Sequence, residues 1–197
     1  MKLGILGGTF DPVHLGHTAL AKAAVDALSL DTVLFIPNAS PPHKPDATLT
    51  PYEHRLQMLR LALADFPLGE LCEMETGTDA PHYTIDTIRT LKAARGQDNE
   101  YFLLLGFDEA ADFPSWRDPD GILEEVTVVV APRVGCESAT IKDPDIFCIL
   151  FVRLPDISST TIRKKAASKS GLEDLVRPDV ADYLLTHHLY TDTQGRS

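Results

Sequence analysis

The sequence predicts an α/β fold, a Rossmann-like parallel sheet with helices on both faces. Three observations lead there. Short apolar runs recur along the chain, and each is ended by glycine or proline or by a turn. Between them lie amphipathic stretches with apolar residues at helical spacing. The alternation is sustained, whereas runs of strands followed by runs of helices would mean segregated layers. Strand order is not readable at this level, but loops at the carboxyl ends of the strands are where such sheets bind ligands.

The first run, Met1 to Leu6, carries Leu3, Ile5 and Leu6 and is stopped by Gly7 and Gly8. Asp11-Pro12 follows as a turn, then His14 and His17, then a helix with Leu20, Ala23, Ala24, Ala27 and Leu28 on one face. The histidines therefore fall at or near a helix N-terminus, where free N–H groups and the positive dipole end favour an anion. Glycines let a phosphate approach the backbone, and imidazoles three residues apart can reach the same oxygens. Taken alone, the pair fits a capping histidine and a packed one equally well. Neither G-x-G-x-x-G nor G-x-x-x-x-G-K-[ST] is present.

Thr32 to Ile36 predicts a second strand, ended by Pro37. Residues 38–45, Asn-Ala-Ser-Pro-Pro-His-Lys-Pro, are too proline-rich for a helix or central strand. They form either a stiff surface loop or, at a strand's carboxyl end, a ligand contact. Thr50-Pro51-Tyr52-Glu53 has the form of a capping box with proline at the first helical position. It opens a helix to about Asp65 carrying Arg55, Leu56, Leu59 and Leu63. Leu71 to Glu75 alternates like a third strand, and Thr84 reads as the N-cap of a helix with Asp86 in its first turn. Tyr101 to Leu105 is a buried strand closed by Gly106-Phe107-Asp108. Val126 to Ala131, ending at Pro132-Arg133, and Phe147 to Val152 complete the strands, around a loop spanning 132–146. Ile157-Ser158-Ser159-Thr160-Thr161-Ile162-Arg163 then starts a helix stopped near Gly171. One cap needs one hydroxyl; four hydroxyls, free N–H groups and an arginine make a cradle for an oxyanion.

Composition narrows the classes. At 197 residues, 44% hydrophobic and 24% charged, the chain is expected to be one globular domain, with a C-terminal helical part at about 158–190. No apolar stretch is long enough to span a membrane and no basic-then-apolar leader opens the chain, so the expected location is the cytoplasm. Cys72, Cys136 and Cys148 lack C-x-x-C spacing, against a disulfide scaffold or structural zinc. A net charge of −11 disfavours a nucleic-acid surface. The few cations (Lys44, Arg133, Arg163) suit a small polyanion in a cleft, whereas Lys164 and Lys165 read as solvated.

The string Gly7-Gly8-Thr9-Phe10-Asp11-Pro12-Val13-His14-Leu15-Gly16-His17 resembles the H-x-G-H signature of the nucleotidyltransferase superfamily. It is most similar to the nicotinate-mononucleotide adenylyltransferase branch. The resemblance extends to about residue 190. Pro41-Pro42-His43-Lys44 matches that branch's P-P-H-[KR] loop, and Tyr83 to Thr87 its [SH]-Y-T-x-[DQ]-T segment. Gly106-Phe107-Asp108 matches its G-x-D, Phe113 to Trp116 its F-x-x-W, and residues 157–163 the I-S-S-T-x-I-R motif. Tyr183-Leu184-Leu185 and Leu189-Tyr190 fit its ending. Two residues depart from the pattern: Phe107 is larger than expected, and Arg117 stands where an aromatic is common.

The resemblance implies adenylyl transfer from ATP to nicotinate mononucleotide, giving deamido-NAD and pyrophosphate, within a nucleotidyltransferase-type fold. It implies His14, His17 and Arg163 as catalytic residues. ATP would be held by Gly8, Thr9, Phe10, Gly106, Asp108, Ser158, Ser159, Thr160 and Arg163. The mononucleotide would meet Lys44, Thr84, Ile85, Trp116, Arg117 and Arg133, with its ring stacked on Trp116. Mg²⁺ is expected to be held mainly by the ATP phosphates, with no protein ligand assigned. Nicotinamide mononucleotide or another phosphate acceptor, and a non-catalytic nucleotide sensor, remain alternatives. Neither a nucleic-acid nor a membrane partner is implied, and the oligomeric state is not legible.

Overall fold

The computed structural model describes residues 1–39, 49–74, 82–131, 144–152, 154–168 and 171–191. The Pro-Pro-His-Lys segment with Lys44, Arg133 with most of the expected 132–146 loop, and Cys136 lie outside them. Six strands, β1 (Lys2–Gly8), β2 (Thr32–Pro37), β3 (Gly69–Leu71), β4 (Glu100–Gly106), β5 (Thr127–Ala131) and β6 (Cys148–Ile149), form one parallel sheet. Their order is β3-β2-β1-β4-β5-β6. The chain winds outward from β1 to β3, then returns to β4 beside β1 and winds the other way. That reversal opens a crevice at the carboxyl ends of β1 and β4.

Helices α1 (Leu15–Leu28), α2 (Tyr52–Leu63), α6 (Ser159–Ala167) and α7 (Pro178–Thr186) contribute to one apolar cluster, with Leu6, Val33 and Phe35 from the strands. Helices α3 (Thr84–Arg95), α4 (Phe107–Asp112) and α5 (Pro119–Glu125) contribute to a second, with Ile5, Leu34 and Leu103. Alternate residues of each central strand thus feed opposite cores, which is why these strands read as unbroken apolar runs. Both helical layers are as the sequence predicts. Among the described residues no helix is long and apolar enough to cross a membrane.

Several local expectations are corrected. The third strand lies at 69–71, and of the expected 71–75 residues 72–74 are not strand while Glu75 lies outside the described residues; the Val33 N–H reaches back to the Leu68 carbonyl and sets the register there. The last strand keeps only Cys148–Ile149 of the expected 147–152. It is an edge strand paired with Val129 and Val130 alone, and Phe151 beyond it is 93% exposed. Thr50 does not cap α2: Pro51 occupies the N-cap and Thr50 is buried. Thr84 is likewise already helical, and the extended residue before α3 is Tyr83.

Candidate active site

After β1 the chain turns through Phe10, whose φ of 46° is left-handed and whose ring is buried. A cis Asp11–Pro12 peptide follows, and His14 enters α1 as its extended N-cap. The His14 N–H donates to Nδ1 of His17 at 3.1 Å. Since Nδ1 accepts, the ring proton of His17 sits on Nε2, leaving that atom as a donor. Burial, and secondarily the neighbouring His14, holds the pKa of His17 well below its usual value. His17 is therefore a neutral, single N–H donor near pH 7. The two imidazoles stack at 3.7 Å between centroids, and the edge of Phe10 braces His17 at 5.0 Å.

The glycines now have reasons. A Cβ on Gly16 would lie 2.9 Å from Nδ1 of His14, so the residue just before His17 must be glycine for the first ring to lie where it does. A Cβ on Gly7 would meet nothing within 4 Å, so that glycine faces open space rather than protein. The cavity beside it admits a ligand to the backbone.

The second helix start is fastened to this turn. Ser158 is an ordinary cap of α6, accepting the Thr161 N–H at 3.2 Å. Ser159 Oγ donates to the Pro12 carbonyl at 2.9 Å, and Arg163 Nη1 donates to the Asp11 carbonyl at 2.7 Å. Arg163 Nη2 also donates to Thr160 Oγ1 at 3.1 Å, which leaves the Thr160 proton free to point elsewhere. The expected cradle of four hydroxyls is thus divided: Ser158 caps and pairs with Thr161 Oγ1 at 2.9 Å, Ser159 fastens, and the exposed Thr160 is joined to Arg163. Two helix N-termini, from opposite ends of the chain, are brought together around residues 11–12.

Beneath them is a buried polar group that the sequence did not disclose. Arg55, 1% exposed, donates Nε to the Thr50 carbonyl (3.0 Å) and Nη1 to the carbonyls of Thr9 (2.6 Å) and Asn38 (2.8 Å). It therefore joins the ends of β1 and β2. Burial lowers its pKa and the nearby Asp11 carboxylate opposes that, but a guanidinium stays charged. Asp11 accepts from the Tyr190 hydroxyl at 2.6 Å and the Thr50 N–H at 3.4 Å. Burial first, and Asp11 second, raises the Tyr190 pKa and keeps its donor proton in place.

A cavity of about 590 Å³ opens from these strand ends. Gly7, Gly8 and Thr9 line one part, and Thr84, Trp116 and Arg117 line another. Trp116 packs on Phe113 at 5.5 Å between centroids, and its ring is half-buried. Of the expected mononucleotide residues, Ile85 buries its side chain in the core, so only its N–H is available. Asp86 is the first residue of α3 whose N–H returns to the Tyr83 carbonyl, leaving those of Thr84 and Ile85 at the helix start. Gly106 caps α4, its N–H donating to Glu109 at 3.0 Å, and Asp108 sits exposed in the first turn of that helix. Sequence reasoning missed Asn38, Glu109 and Asp112, which also line the cavity. The last two lie one turn apart on a helix too short to announce itself by periodicity.

The comparisons agree with this geometry. The cytidylyltransferase-like family model matches residues 5–165. The probable nicotinate-nucleotide adenylyltransferase of Dehalococcoides mccartyi (strain CBDB1) is 36% identical over 198 residues, covering 96% of this chain and 97% of the relative. That of Solibacter usitatus is 38% identical, covering 96% and 100%. Among solved structures, the Plasmodium falciparum nicotinic acid mononucleotide adenylyltransferase complexed with APC superposes with a TM-score of 0.78. It covers 96% of this chain and 97% of its own at 18% identity, a likeness of fold. With a sheet that reverses at β1 and β4, an H-x-G-H helix start at that reversal and this full-length match, the chain belongs to the cytidylyltransferase-like family, among its nicotinate-nucleotide adenylyltransferases.

Proposed function

We propose that this chain transfers the adenylyl group of ATP to nicotinate mononucleotide, giving deamido-NAD and pyrophosphate. The observation that carries the reading is the fastening of two anion-binding helix starts around residues 11–12, beside a cavity containing Trp116. In-line transfer needs the α-phosphate held at one start and the departing β,γ-phosphates at the other. A phosphate oxygen of the mononucleotide attacks the α-phosphorus, and the bond from that phosphorus to the β-bridging oxygen breaks. The attacking oxygen is already anionic near neutral pH, so no general base is required.

Catalysis then rests on placement and charge. His17 Nε2–H and the His14 ring would donate to the α-phosphate oxygens as charge builds there. Thr160 and the free donors of Arg163 would hold the leaving pyrophosphate. The N–H groups of α3 and the face of Trp116 would take the pyridine carboxylate and its ring. Among the described residues no three His, Cys, Asp or Glu side chains converge on a metal position. Mg²⁺ carried on the triphosphate, with oxygens and water as its main ligands, suits such a site and would supply neutralising charge. The test is pyrophosphate release from ATP and Mg²⁺ with each mononucleotide in turn, with deamido-NAD identified by mass; no release with nicotinate mononucleotide would refute the reading.

A further inference from the structure

The cavity is lopsided in charge. Carboxylates of Glu109 and Asp112 line it from α4, and among the described lining residues Arg117 is the one Lys or Arg. Its guanidinium carbon lies 4.5 Å from the centroid of the Tyr83 ring, and Nη1 is 3.7 Å from Asp86 Oδ2. The ring supports one face of the guanidinium plane. The ion pair is longer than a hydrogen bond, and both partners are 57% exposed, so it steers the fork without saturating it.

We infer that the side chain of Arg117, shelved on Tyr83 and steered by Asp86, is a specificity-determining residue through which the cavity prefers a pyridine carboxylate to its amide. This rests on the adenylyl-transfer reading and adds a charged contributor to the backbone N–H groups of α3. A carboxylate accepts two parallel N–H bonds from a guanidinium. A carboxamide offers one acceptor and turns its NH₂ toward a donor. Beside Glu109 and Asp112 the acid's carboxylate also meets repulsion, whereas the amide leaves the pyridinium ring cationic and meets none; Arg117 offsets that penalty. Because Arg117 is more than half exposed, water and salt screen it, so its effect is modest and sensitive to ionic strength.

The test is the ratio of kcat/KM for nicotinate mononucleotide to that for nicotinamide mononucleotide, in the wild type, Arg117→Gln and Arg117→Lys. The expected result is a ratio lowered roughly three- to tenfold in Arg117→Gln, through a raised KM for the acid, with Arg117→Lys between it and wild type. Raising KCl from ~0.05 to ~0.5 M should lower the wild-type ratio and leave that of Arg117→Gln nearly flat. A ratio in Arg117→Gln within twofold of wild type, or both substrates weakened equally, would overturn the inference while adenylyl transfer stood. A wild type inactive with both mononucleotides would remove the reading and the inference together.

Discussion

Replacing Arg55 tests the framework on which the site stands. Its guanidinium makes three donations to carbonyls at the ends of β1 and β2 and just before α2. Arg55→Met keeps much of the volume, removes all of them, and takes the favourable charge of Arg55 away from the buried Asp11. Charge-assisted hydrogen bonds contribute ~1.5–3 kcal/mol each, but carbonyls keep a second lone pair and can recruit water, so the three do not add. Leaving buried carbonyls short of a donor costs ~1–3 kcal/mol each, so a loss of ~3–5 kcal/mol in all is expected here. For a chain of this size each kcal/mol lowers Tm by ~2–4 °C, so a fall on the order of 10 °C is expected. Arg55→Lys keeps the charge but reaches fewer acceptors, and should fall between. Urea unfolding gives the free energy directly. Turnover of the folded variant should also fall, on the order of tenfold, because Thr9 and Asn38 lose their common anchor. Stability of Arg55→Met within about 1 kcal/mol of wild type would refute the reasoning, since hydrophobic replacement would then compensate fully.

Three further outcomes follow from the same geometry. His14→Ala and His17→Ala should each reduce kcat by on the order of 10²–10³ with much smaller changes in ATP affinity, as for loss of one preorganised donor; near-normal turnover would make that histidine a structural cap. Arg163→Lys should be poorly tolerated although the charge is kept, because one ammonium cannot serve the Asp11 carbonyl, Thr160 and a pyrophosphate at once; unchanged KM for ATP and kcat would remove it from the site. The lowered pKa of His17 makes the folded state bind fewer protons than the unfolded chain as pH falls below about 6.5. This contribution to stability is therefore present above that value and lost on acidification, with a slope of up to ~1.4 kcal/mol per pH unit until the folded pKa is reached. His17→Gln, measured by urea unfolding from pH 7 to 5, should flatten that dependence, and an unaltered slope would contradict it.

What the sequence disclosed depended on whether its signals were local. The four longest strands and both helix starts carry their evidence within a dozen residues: an apolar run, a glycine pair, histidines or hydroxyls before an amphipathic stretch. β3 and β6 failed because short edge strands are defined by their partners, Val33 to Phe35 and Val129 with Val130, rather than by their own alternation. Pro51 displaced Thr50 from its expected cap because the Thr50 carbonyl and N–H serve Arg55 and Asp11 instead. The Asp11–Arg55–Tyr190 group was invisible because its members are far apart in the chain. One clue did exist: Arg55 shares the buried face of α2 with Leu59 and Ala62, at i, i+4 and i+7, where a charge requires partners. Ser159 likewise reads as one more capping hydroxyl until its bond to Pro12 is seen.

The central claim, that the fastened helix starts and the cavity beside them serve adenylyl transfer to an acidic mononucleotide, is tested most directly by substrate competition. Nicotinate and nicotinamide mononucleotides at equal concentration, with ATP and Mg²⁺, would be followed to early product by mass spectrometry, so that the product ratio reports the ratio of kcat/KM. The helix start of α3, the fork of Arg117 and a carboxylate that satisfies both predict deamido-NAD in excess by on the order of 10²-fold. Equal amounts of deamido-NAD and NAD, or an excess of NAD, would contradict the account.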